Sequence, residues 1–594
     1  VNTMRSTTAT TKLWSRLKPC LNMAAEDLRR FWSLPAATFL MLILFVAMPD
    51  LQAAQAMERT NPLQNSPLDL IAAGVLPILA AVCVCAWLHD RRLATRAHAL
   101  PLTRNQHFFG HLASGWILSV LPFVALFFVY MYLIDHSVMR LQLQSESDYY
   151  YNAYFWTWLW DMLITTTYVY SLSVLAGIIA GTVVTHLLLA MFFNGLLPVI
   201  VYLVNHIVSA FWTGFWGLPL ASSHLSPLTR EWSSAGLRRL DTFQPNLIYT
   251  ISAIFFLLAA WLLYRRWKVE RVGESAMFKG FGEFVCVLFG FIGLCSGGMT
   301  LHSFSGSGGK ALFLTGAAAG GILFYVVGRM ILEKRLQVFH LAAMKKLAAF
   351  ILCGAVFAVF MAFDLGGCAK RLPQVSETAA VQVDSLFGLE CNAVISDPAL
   401  IEKTRALGLA LAEYGSPSSS AGVPSAASGD DQELFFVYFL DEYDPDYQKD
   451  SRKVRRSYAF DPAQPEIASA YKALFEDPAY KRLSPLYDLA GGGLTRILVP
   501  GSMGDSSPDI FYIIDPDHIL AVARAVQEDF RSMTYEDILD ARKENPSPIW
   551  KLELQVSADD GGGYVNTTLE LRQNYSRTLK VLKELGYDKY IPNI

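Results

Sequence analysis

The chain is constrained most strongly by its long apolar segments. Crossing roughly 30 Å of hydrocarbon takes about 20 mostly apolar residues in a helix, because no water is present to satisfy an unwound backbone. Stretches that reach or approach this length cover residues 36–55, 68–88, 112–134, 155–184, 186–210, 247–264, 282–300, 311–332 and 346–363. The fourth and fifth are the least clearly divided. We therefore predict a polytopic α-helical membrane protein with about nine spans.

Composition agrees with a membrane protein and argues against a nucleic-acid partner. Of the 594 residues, 53% are hydrophobic and 17% are charged, and the formal net charge is only −3. No basic stripe alternates with aromatic residues, so we expect no binding to DNA or RNA, and membrane lipid is the expected surrounding. The first strongly apolar run begins near Leu34, after a basic stretch, so we expect no cleavable signal and an attached first span.

Residues 1–35 are predicted to form a cytoplasmic amphipathic segment. Leucine and alanine recur there at spacings of three and four between lysines and arginines, which is typical of an interfacial helix, with a bend at Pro19. A disordered basic leader is the alternative.

Lysine and arginine gather beside alternate ends of the apolar segments. Because cationic segments resist translocation, basic short loops stay in the cytoplasm. This rule assigns to the cytoplasm the residues before span one and the loops after spans two, six and eight, and an odd number of spans then puts the tail outside. The residues that decide the orientation are Arg5, Lys12, Arg16, Lys18, Arg29, Arg30, Arg91, Arg92, Arg96, Arg104, Arg265, Arg266, Lys268, Arg271, Lys279, Lys334, Arg335, Lys345 and Lys346.

Composition changes after Asp364, where long apolar runs stop and charged residues, Ser and Pro become frequent. We predict a six-span core at 36–267, three additional spans at 268–363, and an extracytoplasmic α+β domain at 364–594. Alternation of β-branched or aromatic with polar residues predicts strands at 379–383, 434–440, 457–460, 510–514, 550–556 and 564–569. Helical spacing predicts helices at 398–413, 464–475, 516–530 and 572–586, with a flexible loop at 415–430.

Three motifs that could carry chemistry are incomplete. The Gly-Ser-Gly-Gly-Lys run at 306–310 is not a phosphate loop, because Phe304 and Ala311 stand where Gly and Ser or Thr are needed. His518 is the only histidine after Asp364, and a position at a helix start is favoured over a Ser-His-Asp site. The acidic run at 441–450 lacks the glycine and the closing glutamate of a calcium loop. We predict no catalytic residue, no metal and no cofactor in this chain.

Polar residues interrupt the apolar segments at a few positions. Asp161, Asn194, Asn205 and His206 are candidates for lining a substrate route, and Glu283 begins span seven. Such residues are costly in lipid and face the bundle interior, so hydrogen bonding between helices is the favoured alternative. On the predicted outer side, Cys368 and Cys391 could form a disulfide or remain two free thiols.

The loop between spans two and three carries a family resemblance. Leu100, Pro101, Thr103 and Arg104 follow the basic residues Arg91, Arg92 and Arg96, and a polar helix then leads into span three. This resembles the permeases of ATP-binding-cassette (ABC) transporters of the type-two exporter class, in which a leucine-proline-x-serine or threonine-arginine sequence belongs to the cytoplasmic element that contacts the ATPase.

The rest of the chain resembles a narrower branch, the acetoin-utilisation-operon permeases of Firmicutes, which have extra spans and a C-terminal extracytoplasmic domain. The similar features are Arg271, Gly273 and Glu274, residues 396–401, Arg456 to Tyr458, and the helix between Tyr575 and Tyr587; where that branch often has a histidine, this chain has Leu407-Gly408-Leu409.

The resemblance implies a non-enzymatic permease subunit in a bacterial plasma membrane. Its implied partners are cytoplasmic ABC ATPase subunits, which would bind ATP and magnesium, and a second permease that is identical or a sister chain. Two other functions stay open: an ABC-type module that senses or resists antimicrobial peptides, and a membrane-anchored enzyme that uses the tail.

Overall fold

A computed structural model describes residues 18–49, 67–136, 148–215, 225–233, 243–274, 277–278, 280–304, 310–333, 335–367, 371–384, 393–417, 432–440, 453–490, 494–499, 511–544, 550–557 and 564–587. The chain divides into two compact units. The helical unit comprises residues 1–204, 218–297 and 317–354, and the mixed unit comprises 205–217, 298–316 and 355–594.

Twelve helices precede the tail within the described residues. They are α1 Lys18–Phe31, α2 Ser33–Ala47 (a π-helix from Ile43), α3 Pro67–Cys85, α4 Arg91–Ala99, α5 Arg104–His136, α6 Asp148–Ile179, α7 Val183–Phe211, α8 Pro227–Ser233, α9 Phe243–Arg265, α10 Phe281–Phe304, α11 Lys310–Glu333 and α12 Leu341–Phe363.

Eight of the predicted spans are confirmed as helices long and apolar enough to cross a membrane: α3 with the short 3-10 turn after it, α5, α6, α7, α9, α10, α11 and α12. The uncertain fourth and fifth spans do divide, at Ala180–Thr182. The count reaches nine if α1 and α2 form one span. The chain bends by 55° between α1 and α2. The bend at Pro19 stays a prediction, because the residues before Lys18 lie outside the described residues.

The helical unit is organised around α6, which packs against α3, α5 and α9. Trp158, Met162 and Val169 on α6 are fully buried, whereas α9 exposes Ile251 and Phe255. An apolar row left uncovered on a long helix is what a lipid-facing surface requires. This pattern is compatible with membrane insertion.

The mixed unit contains two antiparallel sheets. Its strands are β1 Gly214–Phe215, β2 Ala380–Asp384, β3 Ala393–Ile395, β4 Ser416–Pro417, β5 Gln432–Phe439, β6 Lys453–Phe460, β7 Leu494–Val499, β8 Phe511–Ile513, β9 Trp550–Ser557 and β10 Tyr564–Leu571. One sheet has the order β1-β6-β5-β2-β3, with β4 also on β6, and the other has the order β10-β9-β7-β8. The helices are α13 Pro398–Tyr414, α14 Pro465–Phe475, α15 Pro478–Lys481, α16 Pro516–Ser532, α17 Tyr535–Glu544 and α18 Ser576–Glu584.

All six predicted strands and all four predicted helices of the tail are present, with shifted ends. The last helix begins at Ser576 rather than at 572. One apolar core joins both sheets and their helices and includes Phe436, Tyr458, Leu474 and Leu554. The α+β character of the tail is therefore confirmed.

Side chains cap several tail helices. Asp397 caps α13 and Asp515 caps α16, because each carboxylate accepts a hydrogen bond from the backbone N–H two residues later. Each aspartate is followed by a proline at the first helical position, a combination that helix N-termini favour. The buried Asp529 accepts from the backbone N and the Oγ1 of Thr578, both at 2.8 Å, and so caps α18 from α16. Lys481 Nζ donates to the Met533 carbonyl at 2.6 Å at the end of α16, and burial lowers the pKa of Lys481.

Candidate functional site

The predicted ATPase-coupling loop contains α4, a short helix on the surface. Asp90 accepts from the backbone N–H groups of Arg92 and Leu93, at 2.7 and 3.3 Å, and so starts the helix. Ala94 is the buried residue of α4, whereas Arg91, Arg92 and Arg96 are exposed. Among the described residues, no hydrogen bond or ion pair engages these three guanidinium groups. The helix thus presents a basic face to solvent.

The Leu100–Arg104 sequence forms the break between α4 and α5. Leu100 is extended, as a residue before proline prefers to be. Thr103 and Gln106 form a capping box: the backbone N of Thr103 donates to Gln106 Oε1 at 2.8 Å, and the backbone N of Gln106 donates to Thr103 Oγ1 at 3.3 Å. Arg104 Nη1 donates to the carbonyls of Arg265 and Trp267, at 3.1 and 3.4 Å, so the loop is tied to the end of α9.

His98 of α4 belongs to an aromatic–histidine cluster. Its other members are Trp87, His107, His111 and Trp267. The His98 ring lies 5.7 Å from the rings of Trp87 and Trp267 and 5.9 Å from His107. Burial, with a smaller contribution from the Arg104 charge, lowers the pKa of His98. His111 Nδ1 bonds Asp27 at 2.6 Å, which joins α1 to α5. This cluster was not predicted from the sequence, although three histidines close to one loop were a visible signal.

The loop after α9 also carries basic residues, but it is packed inward. The backbone N of Gly273 donates to the Gly181 carbonyl at 3.0 Å, and the backbone N of Met277 donates to the Ile179 carbonyl at 2.8 Å. Arg271 Nη1 donates to the Met277 carbonyl at 2.7 Å. These bonds fix the loop against the break between α6 and α7.

Two of the candidate substrate-route residues, Asp161 and Asn194, take part in hydrogen bonds between helices of the helical unit. Asn246 on α9 donates to Asp161 on α6 at 2.7 Å and accepts from Arg230 at 2.7 Å. Asn194 on α7 donates to Ser173 Oγ on α6 at 3.2 Å. These bonds favour the helix-pairing alternative for both residues. Asn205 and His206 are half-buried near the end of α7, in the mixed unit.

His89, which precedes α4 in the chain, and His186 on α7 form a buried histidine pair. His186 Nε2 lies 2.9 Å from the Ser173 carbonyl, which can only accept, so this nitrogen carries the proton. Its Nδ1 then accepts from His89 Nε2 at 3.2 Å. His89 Nδ1 is left without a partner among the described residues. Neither histidine was singled out from the sequence.

An ionic network joins the three additional helices. Arg329 on α11 donates to both oxygens of Glu283 on α10 at 2.9 Å and also pairs with Glu333. Lys346 on α12 reaches Glu283 at 2.6 Å. Of these residues only Glu283 stood out in the sequence as a polar exception, although an arginine near the end of the apolar run 311–332 also calls for a partner.

The tail residues considered for catalysis do not assemble a triad within the described residues. His518 Nδ1 lies 2.7 Å from the Tyr587 hydroxyl, and the Asp515 carboxylate caps α16. Among all the residues that the structure describes, no group of three or more His, Cys, Asp or Glu side chains is placed to hold a metal ion. Cys368, Cys391, the acidic run 441–450, residues 418–430 of the predicted loop and residues 306–309 lie outside the described residues. Ser416 and Pro417, at the start of that predicted loop, instead form strand β4.

Comparisons of this chain with protein-family models, with curated proteins and with solved structures found no match.

Proposed function

We propose that the chain is the membrane-spanning subunit of an ABC transporter and that α4 is the surface to which a cytoplasmic ATPase binds. The observation that carries the proposal is the environment of Arg91, Arg92 and Arg96. A helix that starts at a side-chain cap and exposes its arginines and Leu93 offers a mixed charged and apolar surface, as protein interfaces do.

The connections of α4 support a mechanical role. The helix lies between α3 and α5 in the chain, and Arg104 ties the following turn to the end of α9. A displacement of α4 would therefore pull on three long helices. In the proposed mechanism, ATP closes two ATPase subunits against α4 of this chain and of a second permease, identical or a sister chain. The spans then rearrange and move the substrate across a bacterial plasma membrane.

The proposal includes the orientation and the division of the chain. The N-terminal segment and the loops that contain α4, Lys268 and Arg335 would face the cytoplasm, because these segments and the helix ends beside them hold most of the basic residues between spans. The domain after Asp364 would then be extracytoplasmic. ATP and magnesium would be bound by the partner ATPase.

The decisive experiment is purification of the tagged full chain from its native membrane. We expect an equimolar chain with Walker motifs in the complex, and ATP hydrolysis by that complex. The Arg92→Glu, Arg96→Glu double variant should no longer copurify with the ATPase, and its rate of ATP hydrolysis should be at least tenfold lower than that of the wild type. The reason is that charge reversal introduces electrostatic repulsion into the interface. The Arg335→Glu, Lys345→Glu double variant, which makes the same change in charge at exposed residues before and within α12, is the control. Retention of the ATPase by the double variant would refute docking on α4.

A second candidate, the sensing or resistance module, is favoured by two contacts inside the mixed unit. The end of α7 continues into β1, which pairs with β6 of the tail at Gly214–Ser457 and Phe215–Arg456. Trp212 Nε1 also donates to the Met361 carbonyl at 2.8 Å. A ligand bound by the tail could therefore bias α7. Vesicles in which the complex hydrolyses ATP in response to an antimicrobial peptide, without accumulating it, would favour sensing over transport.

A further inference from the structure

An arginine cluster, formed by Arg104, Arg265 and Arg266, lies where α5 begins and α9 ends in the helical unit. Arg104 Nη1 donates to the Arg265 carbonyl at 3.1 Å, so its guanidinium lies against the end of α9. The Arg265 guanidinium carbon lies 5.1 Å from the centroid of the Trp261 ring. Trp261 Nε1 in turn donates to Asn105 Oδ1 at 3.1 Å. These contacts hold two of the three guanidinium groups in place before any partner binds.

The positive charge of the arginine cluster is not neutralised by the protein. Arg104, Arg265 and Arg266 are exposed, and within the described residues no carboxylate forms an ion pair with any of the three. The groups that Arg104 and Arg265 do contact are a carbonyl and an indole ring, which carry no net charge. Guanidinium groups bind phosphate oxygens with particular strength, because both partners are charged and their geometries match. The cluster therefore suits a phosphate group.

An apolar row on α9 leads to the arginine cluster. Its side chains recur at spacings of three and four: Ile251, Phe255, Leu258 and Leu262. Each is between 48% and 63% exposed, and Arg266 follows Leu262 by one turn on the same side. On α5, Phe109 is 50% exposed, one turn after Asn105. A surface that is apolar along its length and cationic at one end matches a molecule with a long acyl chain and an anionic head.

We propose that the arginine cluster and the apolar row bind an anionic phospholipid. The phosphate lies on Arg265 and Arg266, and one acyl chain lies along the row on α9. Basic pockets between spanning helices bind anionic headgroups, and such binding is electrostatic. Because Arg104 joins the turn after α4 to α9 at the same place, the bound lipid also stabilises this connection. The proposal requires only that the helical unit lies in a membrane, and it is independent of the proposed ATPase.

A second copy of the chain fits this surface less well than a lipid does. Two copies inserted in the same direction and related by a twofold axis would place the same surface of each against the other. Arg265 and Arg266 of both copies would then meet at the same depth, where like charges repel. A phospholipid covers the same apolar row and supplies the missing negative charge.

The test compares phosphatidylglycerol with phosphatidylcholine, both with dioleoyl chains, so that the two lipids differ in net charge. The purified full chain is delipidated in detergent, titrated with each lipid and analysed by native mass spectrometry. Each arginine near an anionic lipid contributes about fivefold in affinity, so we expect one phosphatidylglycerol to bind about tenfold more tightly than phosphatidylcholine. The Arg265→Gln, Arg266→Gln double variant should lower the affinity for phosphatidylglycerol about tenfold and leave that for phosphatidylcholine unchanged.

Matched variants separate the arginine cluster from other basic surfaces. The Arg335→Gln, Lys345→Gln double variant removes the same charge at exposed residues before and within α12, and it should keep the wild-type preference for phosphatidylglycerol. Arg266→Gln alone should lower that affinity about fivefold, and it still tests the site if the double variant does not fold. An excess of inorganic phosphate should leave the lipid bound, because the apolar row contributes to its affinity.

Four results would overturn the proposal. They are equal affinity of the wild type for both lipids, unchanged phosphatidylglycerol affinity in the Arg265 and Arg266 variants, an equal loss in the α12 control, and displacement of the lipid by phosphate. A lipid-free dimer that becomes tighter in Arg266→Gln would instead assign this surface to a second copy. Because no ATPase is present, none of these results bears on the proposed transport function.

Discussion

Two basic loops of the helical unit use their charge in opposite ways. The loop that contains α4 exposes Arg91, Arg92 and Arg96 on a capped helix. The loop after α9 instead turns Arg271 onto the Met277 carbonyl and bonds its backbone to Ile179 and Gly181. Both loops support the predicted orientation, which counts lysines and arginines, with four such residues in the first loop and five in the second. Charge alone therefore indicates a side of the membrane, while the contacts decide which loop is free to bind a partner.

The largest expected effect concerns the close approach under the inward-packed loop. A Cβ at Gly181 would lie 2.0 Å from the Glu274 carbonyl oxygen, so Gly181→Ala must displace backbone. We expect a loss of about 3 kcal/mol in the free energy of unfolding, measured as a lower thermal midpoint in nanodiscs. Gly195→Ala is the control, since a Cβ there meets nothing within 4 Å. Equal midpoints for the two variants would mean that the loop does not pack on the α6–α7 break.

The next effect compares one arginine from each loop. Arg271→Met removes a charge-assisted hydrogen bond, which is worth roughly 1.5–3 kcal/mol, and should lower the thermal midpoint. Arg92→Met changes an exposed side chain and should stay within about 0.5 kcal/mol of the wild type. A similar loss in both variants would contradict the distinction between the two loops.

A smaller effect is expected at the start of α4. Asp90→Ala removes the cap and should destabilise this helix by about 1 kcal/mol. Hydrogen exchange at the amides of Arg92 and Leu93 should then be roughly fivefold faster, because both bond Asp90. Asp397→Ala removes the corresponding cap of α13 and should leave exchange in α4 unchanged.

The smallest effect is a pH dependence that belongs to α4. The pKa of His98 lies below its ordinary value of 6.5 in the folded protein, so the unfolded chain binds more protons in the window just below that value. Stability is therefore full above pH 6.5 and falls as the pH drops through this window. Between about pH 7.5 and about pH 5.5, the midpoint should fall less in His98→Gln than in the wild type. An identical fall in both proteins would exclude His98 as a contributor.

Span positions were predictable because lipid imposes one rule on every crossing helix. The predicted run 247–264 matches the apolar helix Asn246–Arg265 within two residues at each end. Asp161 and Asn194 were visible as polar exceptions, but their partners Asn246 and Ser173 lie 85 and 21 residues away. Pairing at such distances depends on how helices pack, which no local pattern records.

The missed strands have a similar explanation. β7 follows three glycines and precedes a Pro-Gly pair, so local breakers hide a strand that is stabilised by pairing with β9. β3 has only three residues, too few for an alternating pattern.

The two-residue strand β1 has a practical consequence for anyone who expresses the tail alone. β1 shields part of the outer edge of β6, and the Phe215 ring lies under Arg456, 5.7 Å from its guanidinium carbon. A fragment that begins after α12 would lack β1, so the backbone N–H and C=O groups of β6 that β1 covers would be exposed. Exposed strand edges promote edge-to-edge aggregation. Grafting residues 212–217 onto such a fragment through a flexible linker should keep it monodisperse.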